Sequence, residues 1–85
     1  MNTPPSLVKS VESPRCKILF LGYTKAQTTL VDDLVNHGCE VWHTEDKITT
    51  TQGYDLVVSY GYRHILQKEV IESSSAPIIN LHISY

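Results

Sequence analysis

Four short apolar runs, spaced by glycine-bearing turns and helix-like segments, constrain this chain more than any other feature. Ile18-Leu19-Phe20-Leu21, closed by Gly22, is continuous rather than alternating, the pattern of a strand covered on both faces. Leu56-Val57-Val58-Ser59-Tyr60, closed by Gly61, is rich in β-branched and aromatic residues, which favours a second buried strand. Residues 39–43 read as a shorter strand nearer an edge, because Glu40 and His43 intrude, and Ile78-Ile79-Asn80-Leu81 reads as the last strand.

The intervening segments carry the other period. Ala26, Leu30, Val31, Leu34 and Val35 fall on one helical stripe. Thr24 and Gln27 have the spacing of a capping box, and Gly38 stands where a helix closes in a left-handed conformation. Residues 64–73 read as a second helix with Ile65, Leu66, Val70 and Ile71 as its apolar side, ended by Ser73-Ser74-Ser75-Ala76-Pro77. The polar stretch 44–53 reads as a loop or short irregular helix. This alternation predicts an α/β fold, a partial Rossmann-like open parallel sheet of about four strands and two to three helices. Residues 1–16, interrupted by Pro4, Pro5 and Pro14, read as a flexible N-terminal arm. Residues 17–85 read as the folded unit.

Composition narrows the partners. A net charge of -2 with seven scattered basic residues offers no electrostatic footprint for nucleic acid or an anionic membrane. No apolar segment approaches the roughly 20 residues of a membrane helix. Cys16 and Cys39 have neither the density of a disulfide scaffold nor metal-site spacing, so reduced thiols in a cytoplasmic protein are expected. The four histidines show no ligand spacing, and no metal is expected.

Open parallel sheets bind ligands at the carboxyl ends of their strands. Here those ends carry Gly22-Tyr23-Thr24, Trp42-His43-Thr44, Gly61-Tyr62-Arg63-His64 and His82-Ile83-Ser84. Residues two apart on a strand share a face, so Asn80, His82 and Ser84 are expected to project together. An amide and an imidazolium can both donate hydrogen bonds to an oxyanion. The bland alternative is an asparagine in a turn and a histidine capping a carbonyl. Tyr60-Gly61-Tyr62 allows a flat ligand to approach the backbone, or is simply a strand-to-helix turn with surface aromatics. The Gly22 turn lacks G-x-G-x-x-G and an acidic partner, which argues against a dinucleotide site. No G-x-S-x-G elbow supplies a hydrolase nucleophile.

Three of these features, in order, give the chain from about Lys17 onward a likeness to a known family. Lys17-Ile18-Leu19-Phe20-Leu21-Gly22, then Asp55-Leu56-Val57-Val58-Ser59-Tyr60-Gly61 followed by Ile65-Leu66, then Asn80-Leu81-His82-Ile83-Ser84, resemble the N-terminal part of the 10-formyltetrahydrofolate-dependent formyltransferases. The last of them is similar to that family's N-x-H-x-S signature. The resemblance implies that Asn80 and His82 stabilise the oxyanion formed when a substrate amine attacks the formyl carbon. It implies that Gly61, Tyr62, Arg63, His64, Ile65 and Leu66 line the pterin pocket for 10-formyltetrahydrofolate. The acceptor that the resemblance implies is an amine: a small-molecule substrate, a nucleotide-linked amino sugar, first, and a tRNA-borne or ribonucleotide amine next. Gln67 departs from the family's proline after Ile-Leu. The family's Leu-Pro stretch and proton-handling Asp have no counterpart in these 85 residues. The expectation is therefore an N-terminal fragment of a formyltransferase, without transfer activity alone. The alternative is a small non-catalytic Rossmann-like binding module, self-associating through an exposed sheet edge with its third strand as the pairing edge.

Overall fold

A computed structural model describes residues 4–81. The protein is an α/β fold built on one five-stranded, mostly parallel sheet. Its elements run β1 (Ser6–Leu7), β2 (Lys17–Gly22), α1 (Leu30–Asn36), β3 (Glu40–Thr44), β4 (Leu56–Tyr60), α2 (Lys68–Ser73) and β5 (Ile78–Leu81). The sheet order is β1-β3-β2-β4-β5, with β1 antiparallel and the other four strands parallel.

β2 is central, which is why its sequence is apolar without alternation. Ile18 and Phe20 join Val31 of α1, Val41 and Val58 in one buried cluster. Leu19 and Leu21 join Val57 and Ala76 in a second cluster on the opposite face, with Ile48, Tyr54, Tyr62 and Leu66 packed against it. Each fully buried side chain of this size contributes about 1.5–3 kcal/mol through burial. The step from β2 to β3 runs one way across the sheet and the step from β4 to β5 runs the other. Right-handed crossovers then place their connections on opposite faces, as the two clusters require. The start of the central pair is fixed by two hydrogen bonds: Lys17 N donates to the Asp55 carboxylate at 2.8 Å, and Asp55 N donates to the Lys17 carbonyl at 2.7 Å.

Several expectations are corrected. The sheet is mixed, because part of the proline-bearing arm pairs with β3, Ser6 opposite His43 and Leu7 opposite Trp42. Val8 continues the contact, its N–H bonding the Val41 carbonyl at 2.9 Å. A two-residue strand is too short to show a period in the sequence. The third parallel strand, β4, is not an edge: it lies between β2 and β5. Among the described residues it is β5 whose outer side has no strand partner.

Both helices start later than their patterns predict. Thr24 and Gln27 make only half of the expected box: Thr24 N donates to Gln27 Oε1 at 2.9 Å, but Gln27 N bonds the Thr24 backbone carbonyl at 2.9 Å and not its hydroxyl. They close a separate turn, after which the Thr28 hydroxyl takes the Leu30 N–H at 3.2 Å. Such side-chain bonds offer the backbone an alternative to helix, and Ala26 is left exposed. α1 then ends as expected: Gly38 has φ +89°, Cys39 N bonds the Leu34 carbonyl and Gly38 N the Val35 carbonyl, the two bonds of a Schellman cap. Residues 64–67 are not helical, and Gln67 is extended with ψ 147°. Leu66 is drawn into the lower core beside Tyr62, whereas Ile65 is 93% and Ile71 51% exposed. The helical stripe read over 64–73 therefore buries only Val70 within α2.

Candidate functional site

The sheet order reverses between β2 and β4, and open α/β sheets form their ligand crevice at the carboxyl ends of the strands there. The residues after those two strands meet in this protein through backbone contact. Tyr23 N donates to the Tyr60 carbonyl at 2.9 Å. Gly22 has φ +115°, and a methyl group on it would overlap the Tyr60 carbonyl oxygen and the backbone of residues 61 and 62. Only glycine lets the two strand ends approach so closely. Gly61, with φ +70°, lies under the Tyr23 ring, so that any side chain there would collide with the phenol. Tyr23 also meets the Tyr60 ring edge-on at 4.9 Å between centroids.

Beside this crossing opens a cleft of about 690 Å3, reaching from Tyr23 and Gly61 across Tyr62, His64, Ile65 and Leu66 to Ile78 and Asn80 of β5. Its volume lies inside the roughly 300–1,000 Å3 range of small-molecule sites. The walls are aromatic and aliphatic, and the polar groups are few: the Ser59 hydroxyl, the His64 imidazole and the Asn80 amide. Ser59 and Asn80 are register partners on β4 and β5 and so face the same side of the sheet. Among the described residues no carboxylate lines the cleft.

Each wall is positioned by the local sequence. The Tyr62 hydroxyl donates to the Asp46 carbonyl at 2.6 Å, tying the 61–67 segment to the loop after β3. Burial pushes the Tyr62 phenol up from its usual range, so it stays a neutral donor. His64 stacks edge-on against Tyr62 at 5.5 Å, and among the described residues its ring nitrogens have no hydrogen-bond partner. Two other histidines are held structurally. His43 Nε2 lies 2.8 Å from the Gly22 carbonyl, which can only accept, so that nitrogen carries the proton. His37 Nδ1 likewise donates to the Asp33 carbonyl at 2.7 Å at the end of α1.

Six of the eight residues expected at the site, Gly61, Tyr62, His64, Ile65, Leu66 and Asn80, line this one cleft. Arg63 does not. It lies on a neighbouring cleft of about 350 Å3 with Gly22, Gln27 and Glu45, which shares Tyr23, Gly61 and His64 with the first. His82, expected beside Asn80, lies outside the described residues, as does Ser84. Tyr23 and Ser59 are lining residues that the sequence reading did not assign. The available signal is that Gly22 and Gly61 each close an apolar strand; the register that sets Gly22 opposite Tyr60 then brings the two turns together. Among the described residues no three His, Cys, Asp or Glu side chains group as metal ligands. Nor is any helix among them long and apolar enough to cross a membrane.

Comparison with protein-family models, with curated proteins and with solved structures gave no match for this chain.

Proposed function

We propose that this chain is the N-terminal part of a 10-formyltetrahydrofolate-dependent formyltransferase, a cytoplasmic enzyme with a Rossmann-like sheet. The carrying observation is the cleft itself: it sits at the carboxyl ends of β4 and β5, has flat aromatic walls and presents the Asn80 amide at its rim. The donor set fits a reduced folate. A bicyclic pterin is flat and amphipathic, and Tyr23, Tyr62 and His64 with Leu66 supply stacking and apolar surface. The folate brings an activated formyl group to the site when bound. Asn80, whose amide has no protein partner among the described residues, then donates a hydrogen bond where negative charge develops on the formyl oxygen. By the family resemblance His82 is its companion donor, and the acceptor is an amine, foremost that of a nucleotide-linked amino sugar.

By the family resemblance the group that takes up the proton of the attacking amine is an Asp, which has no counterpart in these 85 residues, and among the described residues no carboxylate lines the cleft. The chain is therefore expected to bind reduced folate without turning it over. Titration with 5-formyltetrahydrofolate, followed by calorimetry, tests this reading. Saturable binding that is weakened at least tenfold by Leu66→Ala or Tyr62→Ala, a loss of about 1.4 kcal/mol, supports it. Heats indistinguishable from dilution up to the solubility limit of the ligand refute it.

A second reading, a non-catalytic module that pairs through β5, is favoured by one observation. Among the described residues the outer side of β5 has no strand partner, Ile79 is 45% and Leu81 38% exposed, and such edges recruit other strands. Folate binding without self-association separates the two readings.

A further inference from the structure

The amino ends of β2 and β3, at the opposite end of the sheet from the cleft, hold a pair of thiols. Cys16 and Cys39 immediately precede register partners Lys17 and Glu40, and Glu40 N donates to the Cys16 carbonyl at 2.8 Å. The two cysteines thus stand side by side on neighbouring parallel strands, and the Cys16 S–H donates to Cys39 Sγ at 2.9 Å. Both are free thiols and only half-buried. Backbone bonds on either side hold them there: Arg15 N bonds the Gly38 carbonyl at 2.8 Å, and Cys39 N closes the α1 cap on Leu34. Among the described residues no third ligand completes a metal site.

We propose that Cys16 and Cys39 are a redox-active dithiol that closes to an intramolecular disulfide on exchange with a small-molecule disulfide of the glutathione class. The inference is independent of the proposed function. Closing the 2.9 Å thiol contact to a covalent bond of about 2.05 Å needs a displacement of under about 1 Å, so the backbone need not rearrange. Cys39, which accepts the hydrogen bond, is the attacking sulfur. As thiolate it displaces one thiolate from the oxidant and forms a mixed disulfide. Cys16 then gives up its proton and attacks Cys39 Sγ, expelling the second thiolate. The two cysteines lose two electrons and two protons, and one disulfide becomes two thiols. The order of attack agrees with the titration of Cys16, which the Cys39 hydrogen bond and burial push up to about 11. The bond would enclose β2, the Gly22–Tyr23 crossing and α1 in one covalent loop. Oxidation is thereby expected to stiffen the half of the sheet that carries Tyr23.

The test is incubation of the whole chain with an equimolar mixture of glutathione disulfide and glutathione, quenching by alkylation and peptide mapping. The expected product has lost two hydrogens, contains a Cys16–Cys39 cross-linked peptide and regains both alkylation sites after reduction. The midpoint of thermal unfolding of this product should rise by roughly 15–25 °C, from the loop-closure entropy of a loop of this size. Two thiols that stay alkylatable, two separate glutathione adducts, or cross-links only between chains would each overturn the proposal. The order of attack has its own readout in the unaltered chain: the mixed disulfide trapped by rapid acid quenching should carry glutathione on Cys39 and not on Cys16. Glutathione on Cys16 overturns the assignment of Cys39 as the attacking sulfur.

Discussion

Gly22 and Gly61 both have positive φ and both sit at the crossing of β2 and β4, yet replacing them with alanine should have unequal consequences. At Gly61, with φ +70°, the added methyl meets the ring of Tyr23. A left-handed non-glycine residue costs roughly 1–2 kcal/mol. The ring can swing toward the open cleft, so the collision adds little. At Gly22, with φ +115°, the methyl meets backbone: the Tyr60 carbonyl oxygen and the chain at 61 and 62. Strain of about 1–3 kcal/mol for a sparsely allowed conformation is joined by loss of the Tyr23 N–Tyr60 O bond, a further ~0.5–1.5 kcal/mol. Gly22→Ala should therefore cost about 2–4 kcal/mol and Gly61→Ala about 1–2 kcal/mol. A domain of this length has a total stability of about 4–13 kcal/mol, so the first change removes a large share of it. Urea unfolding followed by far-UV circular dichroism and by the fluorescence of Trp42, the single tryptophan, measures both. The reasoning fails if the two variants lose equal stability, or if Gly61→Ala loses more.

Phe20, fully buried among Ile18, Val31, Val41 and Val58, should cost about 3–5 kcal/mol when cut to alanine, read from the same unfolding curves. Ile79→Lys with Leu81→Lys should cost about 1–3 kcal/mol, since each side chain is a little over half buried on the strand whose outer side has no strand partner among the described residues. The pair should abolish any concentration-dependent association in sedimentation velocity, and an unchanged association constant would show that this edge is not the contact. The pH dependence also has a definite sign. The Cys16 thiol is raised from 9.0 to about 11, chiefly by its bond with Cys39 and then by burial. The folded protein thus holds a proton that the unfolded chain has lost, and stability should fall as pH rises from 9 to 11. In Cys39→Ala, whose Cys16 has lost its largest perturbing group, that decline should shrink in pH-dependent urea titrations.

Local pattern encoded the strands because burial on two faces leaves a continuous apolar run. Residues 18–21 and 56–60 are legible for that reason, 78–81 through their β-branched pair alone, and Gly38 because a helix end needs a residue tolerant of positive φ. The cleft was also legible as a list, since the carboxyl end of a parallel strand is where ligands collect, whatever the strand order. Pairing across long separations was not. Nothing within residues 4–8 announces that Leu7 will lie opposite Trp42. Nothing in a spacing of 23 residues brings Cys16 against Cys39. Strand order made β4 an interior strand and, among the described residues, β5 the edge, and the turn after β4 put Arg63 on the neighbouring cleft. Periodicity records which face a residue shows to the core. Which residue stands on the other side of that face is settled only when the whole sheet packs, because register is a property of two segments and not of either one.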